Sequence, residues 1–293
     1  MYNFLLFIMV LLFTGQSFFL KCYSQNQSSD VGQSNATFSI VYGAFAGIAT
    51  LLLGAGKYAP TLPTLLLGGM NALMLLLFNT ASLQGNQRGS YAFLMITSLS
   101  GGILVPLVCN CLFQGEVLNV WQLLAIVLML ASFVVMNLKG MTFSGVAKTY
   151  YFWCALVFLT NGLYGVLMDY QGRLTGGTQT NEMIITTFLG MSLATFCIQC
   201  IRQPRTLRTM FCMRRKALAF LLLTCTCATC AVNLLLRLLL ITPSATVLYA
   251  VNNGSVLVCS ALLAYTLLHE KPTASRVIGI GLSCASILML SLL

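Results

Sequence analysis

Long apolar runs alternate with short polar or charged segments along the whole chain. Most of these runs are about 20 residues long, the length of α-helix that crosses the roughly 30 Å hydrocarbon core of a bilayer. The pattern predicts an all-α fold, a polytopic membrane bundle of ten transmembrane helices. Their predicted limits are 2–20, 35–54, 60–84, 88–113, 120–138, 149–170, 180–201, 217–241, 243–268 and 273–293.

The first apolar run, Tyr2 to Leu20, could be a helix or a secretory signal peptide. A signal peptide needs a basic n-region before the apolar stretch and small residues at a cleavage site. Met1-Tyr2-Asn3 has no basic side chain, and Lys21-Cys22-Tyr23 is a poor cleavage site. We therefore predict a retained helix, followed by a first loop over residues 21–34.

The stretch Ser90 to Leu138 resembles the stretch 244–292 at an offset of 154 positions, without gaps. This offset places Glu116 on Glu270, Asn79 on Asn233 and Ser98 on Asn252. We interpret it as an internal duplication. Since each half has an odd number of helices, the second half is inverted relative to the first, which is the architecture of many secondary transporters. The predicted organisation is a first five-helix repeat at 1–138, a connecting loop at 139–148 and a second five-helix repeat at 149–293.

Composition excludes the ordinary soluble classes. Hydrophobic residues make up 58% of the chain and charged residues only 7%, with a mean hydropathy of +0.91. A soluble domain has about 25% charged residues, so a soluble globular enzyme is nearly excluded. The net charge of +10 is better explained by loops that face an anionic cytoplasmic leaflet than by nucleic acid, which we do not expect as a partner.

The Lys and Arg residues predict an orientation. The loops on the opposite side of the predicted bundle contain only Lys57 and Arg173. By the positive-inside rule, the more basic side faces the cytoplasm and both termini lie outside. The basic loop residues are Lys21, Arg88, Lys139, Lys148, Arg202, Arg205, Arg208, Arg214, Arg215, Lys216, Lys271 and Arg276.

No motif for catalysis or for a cofactor is visible. The chain has no Walker A loop, no Rossmann glycine fingerprint and no Cys/His zinc spacing, so we predict neither an enzyme nor an ATP-driven pump, and no cofactor. Cys225-x-Cys227-x-x-Cys230 could hold a soft metal. No His accompanies it, and cysteines in apolar runs pack helices, so we predict packing and no metal site.

The candidate site residues are polar side chains inside the predicted spans. A polar group in hydrocarbon is costly and normally faces a neighbouring helix or a wet cavity. The alternative to a solute site is therefore a set of interhelical hydrogen bonds that only hold the bundle together. The predicted substrate-binding residues are Gln16, Asn79, Ser98, Asn161, Tyr164, Asn233, Tyr249, Asn252 and Asn253.

Helical spacing separates the two neighbouring asparagines of predicted helix 9. Tyr249 and Asn252 lie three residues apart and share roughly one face, whereas Asn253 is turned by about 100°. We expect Asn252 to face the cavity and Asn253 to contact a neighbouring helix.

Charged groups are rare within the spans. Arg237, near the end of predicted helix 8, could bind an anionic group or extend to the membrane interface, and we favour the interface. Asp169 and Glu182 lie at helix ends, so no carboxylate occupies mid-span. This absence favours a neutral, zwitterionic or anionic substrate, or facilitated diffusion.

Two helix–turn–helix stretches carry a resemblance to a known family. The first is Leu112-Phe113-Gln114-Gly115-Glu116 with Ala125-Ile126, and the second is Leu267-Leu268-His269-Glu270 with Gly279-Ile280-Gly281. They resemble the EamA-type, ten-helix branch of the drug/metabolite transporter superfamily, in which a turn carrying Glu precedes a helix rich in small residues. The family's helix-4 proline is matched by Pro106, but its counterpart in helix 9 is Ser260.

The resemblance implies a transporter with two inverted repeats and a central cavity lined by helices 1, 3, 4, 6, 8 and 9. It also implies cytoplasmic termini, which conflicts with the loop charges. We predict an integral, multi-pass transporter of small metabolites, a secondary carrier or exporter in the plasma membrane that works by alternating access. Its expected partners are a small-molecule solute and the lipid bilayer, and it is a monomer or a homodimer. The alternative is a non-transporting membrane protein, either a scaffold or an intramembrane enzyme.

Overall fold

The computed structural model describes residues 2–26, 31–88, 91–113, 115, 117–137, 148–202, 214–242, 244–267 and 273–292. Within these ranges the chain forms ten α-helices and no β-strand. In chain order they are α1 (Tyr2–Asn26), α2 (Val31–Leu53), α3 (Leu62–Arg88), α4 (Tyr91–Phe113), α5 (Val120–Asn137), α6 (Lys148–Leu174), α7 (Thr180–Arg202), α8 (Arg215–Ile241), α9 (Ala245–Leu267) and α10 (Ala274–Leu292).

The helices confirm the predicted all-α membrane bundle. Among the described residues, eight helices are long and apolar enough to cross a membrane. The remaining two, α5 and α10, contain the shorter apolar stretches Val120–Met136 and Ala274–Leu290. They occupy equivalent places in the two halves.

Helix α1 is longer than its apolar run, so the predicted first loop at 21–34 is wrong. The helix continues to Asn26, and α2 already begins at Val31. Side-chain hydrogen bonds explain the extension. The Tyr23 hydroxyl donates to the Ser34 carbonyl at 3.3 Å, and Asn26 Nδ2 donates to the Cys22 carbonyl at 2.8 Å. Because polar side chains at a helix end can bond locally, hydropathy alone underestimates the length of the helix.

Equivalent helices of the two halves begin at positions that differ by the offset found in the sequence. Helix α4 begins at Tyr91 and α9 begins at Ala245, 154 positions later, and α5 and α10 are separated by the same interval. This agreement supports the proposed duplication, which stays a prediction. Glu116 and Glu270, which the sequence places at the matching turns, lie outside the described residues.

The first compact unit comprises Met1–Asn79 and Leu167–Leu240. It contains α1, α2, most of α3, the end of α6, α7 and α8. Its helices α2 and α7 pack through a glycine: a Cβ at Gly43 would lie 2.5 Å from the Phe188 carbonyl oxygen. At this contact the Ser192 hydroxyl donates to the Ile40 carbonyl at 2.8 Å. Small residues let helix backbones approach closely in a membrane, where apolar burial alone does not drive association.

The second compact unit comprises Thr80–Val166 and Ile241–Leu293. It contains α4, α5, most of α6, α9 and α10. Helices α5 and α10 again pack through small residues, because a Cβ at Gly279 would overlap Met136. The Ser132 and Ser283 hydroxyl oxygens lie 2.6 Å apart in the same buried contact. Both helix pairs therefore join a helix of the first half to a helix of the second.

Candidate functional site

Helices α4 and α6 cross through a pair of glycines in the second unit. A Cβ at Gly101 would overlap the Phe158 carbonyl, and a Cβ at Gly162 would overlap Val105 and lie 2.5 Å from the Gly101 carbonyl oxygen. Any side chain at either position would force the two backbones apart. The two glycines thus set the distance between α4 and α6.

A polar cluster lies beside this crossing, and we call Ser98, Gly102, Asn161 and Asn253 the mid-span cluster. Asn161 Nδ2 donates to the Ser98 carbonyl at 2.8 Å. A Cβ on Gly102 would lie 3.0 Å from Asn161 Nδ2 and 3.2 Å from Asn253 Nδ2. Three helices, α4, α6 and α9, therefore bring their polar groups to one place.

The cluster lies at the middle of its helices. Gly102 is the central residue of the 23-residue helix α4, and Asn161 is the central residue of the 27-residue helix α6. For helices that span a bilayer, their central residues lie near the middle of the hydrocarbon core. Secondary transporters typically bind their substrates at this depth.

Tyr249 extends the cluster by one helical turn. Its ring is buried, and its hydroxyl donates to the Gly165 carbonyl at 3.0 Å. Gly165 follows Asn161 by four residues on α6, and Tyr249 precedes Asn253 by four on α9, so both pairs stack along the same faces. The contact joins α6 and α9 about 6 Å along the axes from the asparagines.

Pro106 changes the hydrogen bonding of α4 at the cluster. Proline has no backbone N–H, so in a helix the carbonyl four residues earlier loses its ordinary donor. In α4 that carbonyl belongs to Gly102, which lies against the two asparagine amides. The sequence identified Pro106 only through the family resemblance, and the fold places Gly102 beside the polar side chains.

Asn252 and Asn253 differ in exposure, and Asn253, which the sequence places against a neighbouring helix, contacts α4. Asn252 is buried, at 6% exposure, and its Oδ1 has no hydrogen-bond partner among the described residues. Asn253 is half-buried and lies at Gly102. The face of α9 that meets α4 and α6 carries Tyr249 and Asn253, spaced by four residues, instead of Tyr249 and Asn252.

Asn79 and Asn233 lie in the first unit and bond to packing partners. Asn79 Nδ2 donates to the Ser39 hydroxyl at 2.9 Å, linking α3 to α2. Asn233 Nδ2 donates to the Thr229 carbonyl of its own helix at 2.9 Å and reaches Thr50 Oγ1 of α2 at 3.4 Å. These contacts favour the alternative of interhelical hydrogen bonding for both residues.

Gln16 and Tyr164 remain candidates without a defined contact. Both are half-buried, and neither side chain makes a hydrogen bond with the residues that the structure describes. Gln16 belongs to α1 in the first unit. Tyr164 belongs to α6 in the second unit, between Asn161 and Gly165.

Two buried asparagines stand apart from the predicted set. Asn71 in α3 and Asn110 in α4 are fully buried, and no described residue bonds to either side chain. Asn110 was not predicted. The sequence pattern that could have identified Asn110 is a spacing of four residues, which places Gly102, Pro106 and Asn110 along one face of α4.

Two interpretations from sequence gain support in the first unit. Arg237 is exposed near the end of α8, consistent with a side chain that extends to the membrane interface. Cys227 Sγ lies 3.4 Å from the position of a Cβ on Gly15 of α1, which is an ordinary packing contact.

A groove of about 610 Å³ in the first unit is a second candidate for a site. It contains none of the nine predicted site residues, and its few polar groups include the Tyr58 and Thr186 hydroxyls, which lie 2.9 Å apart. Ligand sites combine apolar walls with polar groups that orient the ligand, so the mid-span cluster is the better candidate. The groove is lined by Ile40, Leu51, Tyr58, Ile185, Thr186, Leu189, Gly190, Ser192, Leu193 and Phe196.

Comparisons with known proteins agree with this architecture. The model of the EamA-like transporter family matches residues 148–292. A solved structure titled "Crystal structure of protein" has a TM-score of 0.75 at 15% identity, covering 99% of this chain and 98% of its own, and thus has the same fold. No curated protein matches the chain. Residues 148–292 belong to the EamA-like transporter family of the drug/metabolite transporter superfamily, a family of multi-pass membrane transporters usually located in the plasma membrane.

Proposed function

We propose that this protein carries a small metabolite across the membrane by alternating access, and that the mid-span cluster is part of its solute site. The observation that carries the proposal is the meeting of Asn161 and Asn253 over Gly102 at the centre of α4 and α6. A polar group at this depth is costly and is retained where it serves a function.

The hydrogen bonding of the asparagines separates a site from a packing role. An asparagine amide that holds helices together has a protein partner, as Asn79 has in Ser39 and as Asn161 Nδ2 has in the Ser98 carbonyl of α4. The Asn253 side chain is half-buried and makes no hydrogen bond with the described residues. An amide in this state is suited to bind water or a passing solute.

The helix pairs limit which parts can move during transport. Because α2 packs against α7 and α5 packs against α10, each pair joins the two halves of the sequence. A movement of one whole half against the other would break both contacts. We therefore propose that each pair moves as one body, carrying helices of both halves together.

The alternative function is a scaffold or an intramembrane enzyme. Members of the EamA family are transporters rather than enzymes. A scaffold would not require polar side chains without partners at mid-depth. We retain the small-molecule solute as the proposed partner.

The test is uptake into proteoliposomes that contain the purified protein. Labelled amino acids, nucleosides, sugars and cationic drugs would be compared with vesicles that lack protein. We expect uptake of at least one class, reduced by Asn253→Ala and maintained in Gly281→Ala, since nothing lies within 4 Å of a Cβ at Gly281. Equal uptake in vesicles with and without protein across the panel would contradict the proposal.

A further inference from the structure

We propose that the mid-span cluster takes an uncharged group that both donates and accepts hydrogen bonds, such as a hydroxyl or carboxamide, and that Gly102, which has no Cβ, allows the two asparagine amides to lie together against α4. This inference rests on the proposed function and specifies its substrate class. It is carried by three features of the second unit: the absence of charge, the mixture of donors and acceptors, and the close approach of both amides to Gly102.

The helices around the cluster contain no charge at this depth. Residues 91–113 of α4, 149–166 of α6 and 245–267 of α9 contain no Asp, Glu, Lys, Arg or His. The next carboxylate on α6, Asp169, is two turns beyond Asn161 and pairs with Arg173 at 3.0 Å. An ion desolvated in an apolar surrounding without a counter-charge is strongly disfavoured. The surroundings therefore discriminate against anions and cations alike.

The polar groups offer donors and acceptors side by side. Asn161 uses its Nδ2 on the Ser98 carbonyl, so its Oδ1 is the end left to accept. The Gly102 carbonyl has lost its ordinary donor to Pro106. Asn253 Nδ2, which would lie 3.2 Å from a Cβ on Gly102, supplies N–H donors at the same place. A carboxylate can only accept and an ammonium can only donate, whereas a hydroxyl or carboxamide does both.

Gly102 allows the two amides to lie against the backbone of α4. A methyl group there would approach both amide nitrogens, at 3.0 and 3.2 Å, closer than ordinary van der Waals contact. Its obstacles are the ends of two side chains, which can rotate, so Gly102→Ala should fold. The rotation would nevertheless move both amides out of the positions in which we propose that they bind the solute. Gly281→Ala, in α10 of the same unit, adds the same methyl group in open space and is the matched control.

The experiment compares uptake of solutes that share one scaffold and differ in charge. One series is glucose, the cationic 2-amino sugar and the anionic 6-carboxylate, and a second is uridine with its 5′-monophosphate. Each is added to proteoliposomes of wild type, Gly102→Ala and Gly281→Ala, and melting temperatures are recorded in detergent. We expect uptake of a neutral member, a loss of about tenfold or more for its charged analogues, corresponding to at least ~1.4 kcal/mol, and a similar loss in Gly102→Ala alone.

The outcomes distinguish a failure of this inference from a failure of the proposed transport function. Uptake of a charged member at or above the level of its neutral analogue would overturn the substrate class while leaving transport in place. Equal uptake by Gly102→Ala and Gly281→Ala would overturn the role of Gly102. Wild-type uptake of every solute at the level of protein-free vesicles would overturn the proposed function and this inference together.

Discussion

The crossing of α4 and α6 gives the sharpest prediction for stability. Gly162→Ala adds a methyl group that would overlap Val105 and lie 2.5 Å from the Gly101 carbonyl oxygen. A backbone carbonyl and a β-branched Cβ cannot rotate out of the way, unlike the asparagine ends at Gly102. The helices must therefore separate or accept strain.

The magnitude follows from two opposing effects. Alanine is favoured over glycine in a helix interior by roughly 1 kcal/mol. Insertion of a methyl group into a packed contact costs about 1–3 kcal/mol, and more when the backbone must shift. Gly281→Ala receives the propensity gain without the clash. Both variants gain the same helix propensity, so the difference between their free energies of unfolding contains only the clash. We expect Gly162→Ala to be less stable than Gly281→Ala by about 2–3 kcal/mol.

The assay is denaturant unfolding of the purified variants in detergent micelles, with the free energy of unfolding compared at equal m-value. Gly101→Ala should behave like Gly162→Ala, and the double variant should cost less than the two single losses combined, because one separation of the helices relieves both contacts. If Gly162→Ala and Gly281→Ala differ by less than about 0.5 kcal/mol, α4 and α6 do not cross at these glycines.

Three further predictions concern the site and the orientation. Tyr249→Phe removes the donor to the Gly165 carbonyl and should lower the free energy of unfolding by about 0.6 kcal/mol; an unchanged value would argue against that bond. Asn253→Ala should reduce uptake with little change in melting temperature. Asn252→Ala should leave stability unchanged or raised, because it deletes a buried oxygen without a partner among the described residues. A larger uptake loss in Asn252→Ala would instead support the prediction from sequence that Asn252 faces the cavity. A reporter fused after Leu293 should be detected outside the cell, as the loop charges predict; a cytoplasmic signal would support the orientation usual for the family.

The ten helices could be predicted from sequence because the bilayer imposes a strict requirement. Every backbone polar group within hydrocarbon must bond internally, so each apolar run of sufficient length becomes a helix. The ends were less predictable, as at α1, which continues past its apolar run to Asn26, with Tyr23 bonded to Ser34 of α2 and Asn26 bonded within its own helix. Hydropathy predicts which segments lie in the hydrocarbon core, but it does not predict where a helix ends among the polar side chains that flank the core.

The candidate site could be predicted only as a set of residue types. Sequence selected polar side chains within spans, and the fold divides them. Asn161 and Asn253 meet at Gly102 in the second unit, whereas Asn79 lies in the first unit and bonds to Ser39 of α2. The sequence could not make this division because a helix can rotate about its axis, and the contacts of α9 with its neighbours decide whether Asn252 or Asn253 faces α4.

By itself, the sequence determined that this is an all-α membrane protein and approximately where its helices lie. These properties depend on local hydropathy and on spacing along the chain. Only the tertiary structure decided that α2 packs on α7 and α5 on α10, that Gly101 and Gly162 bring α4 against α6, and that Asn161 and Asn253 meet at Gly102. These contacts depend on which small residues face one another across separate helices, and such a match appears only when the helices are packed together.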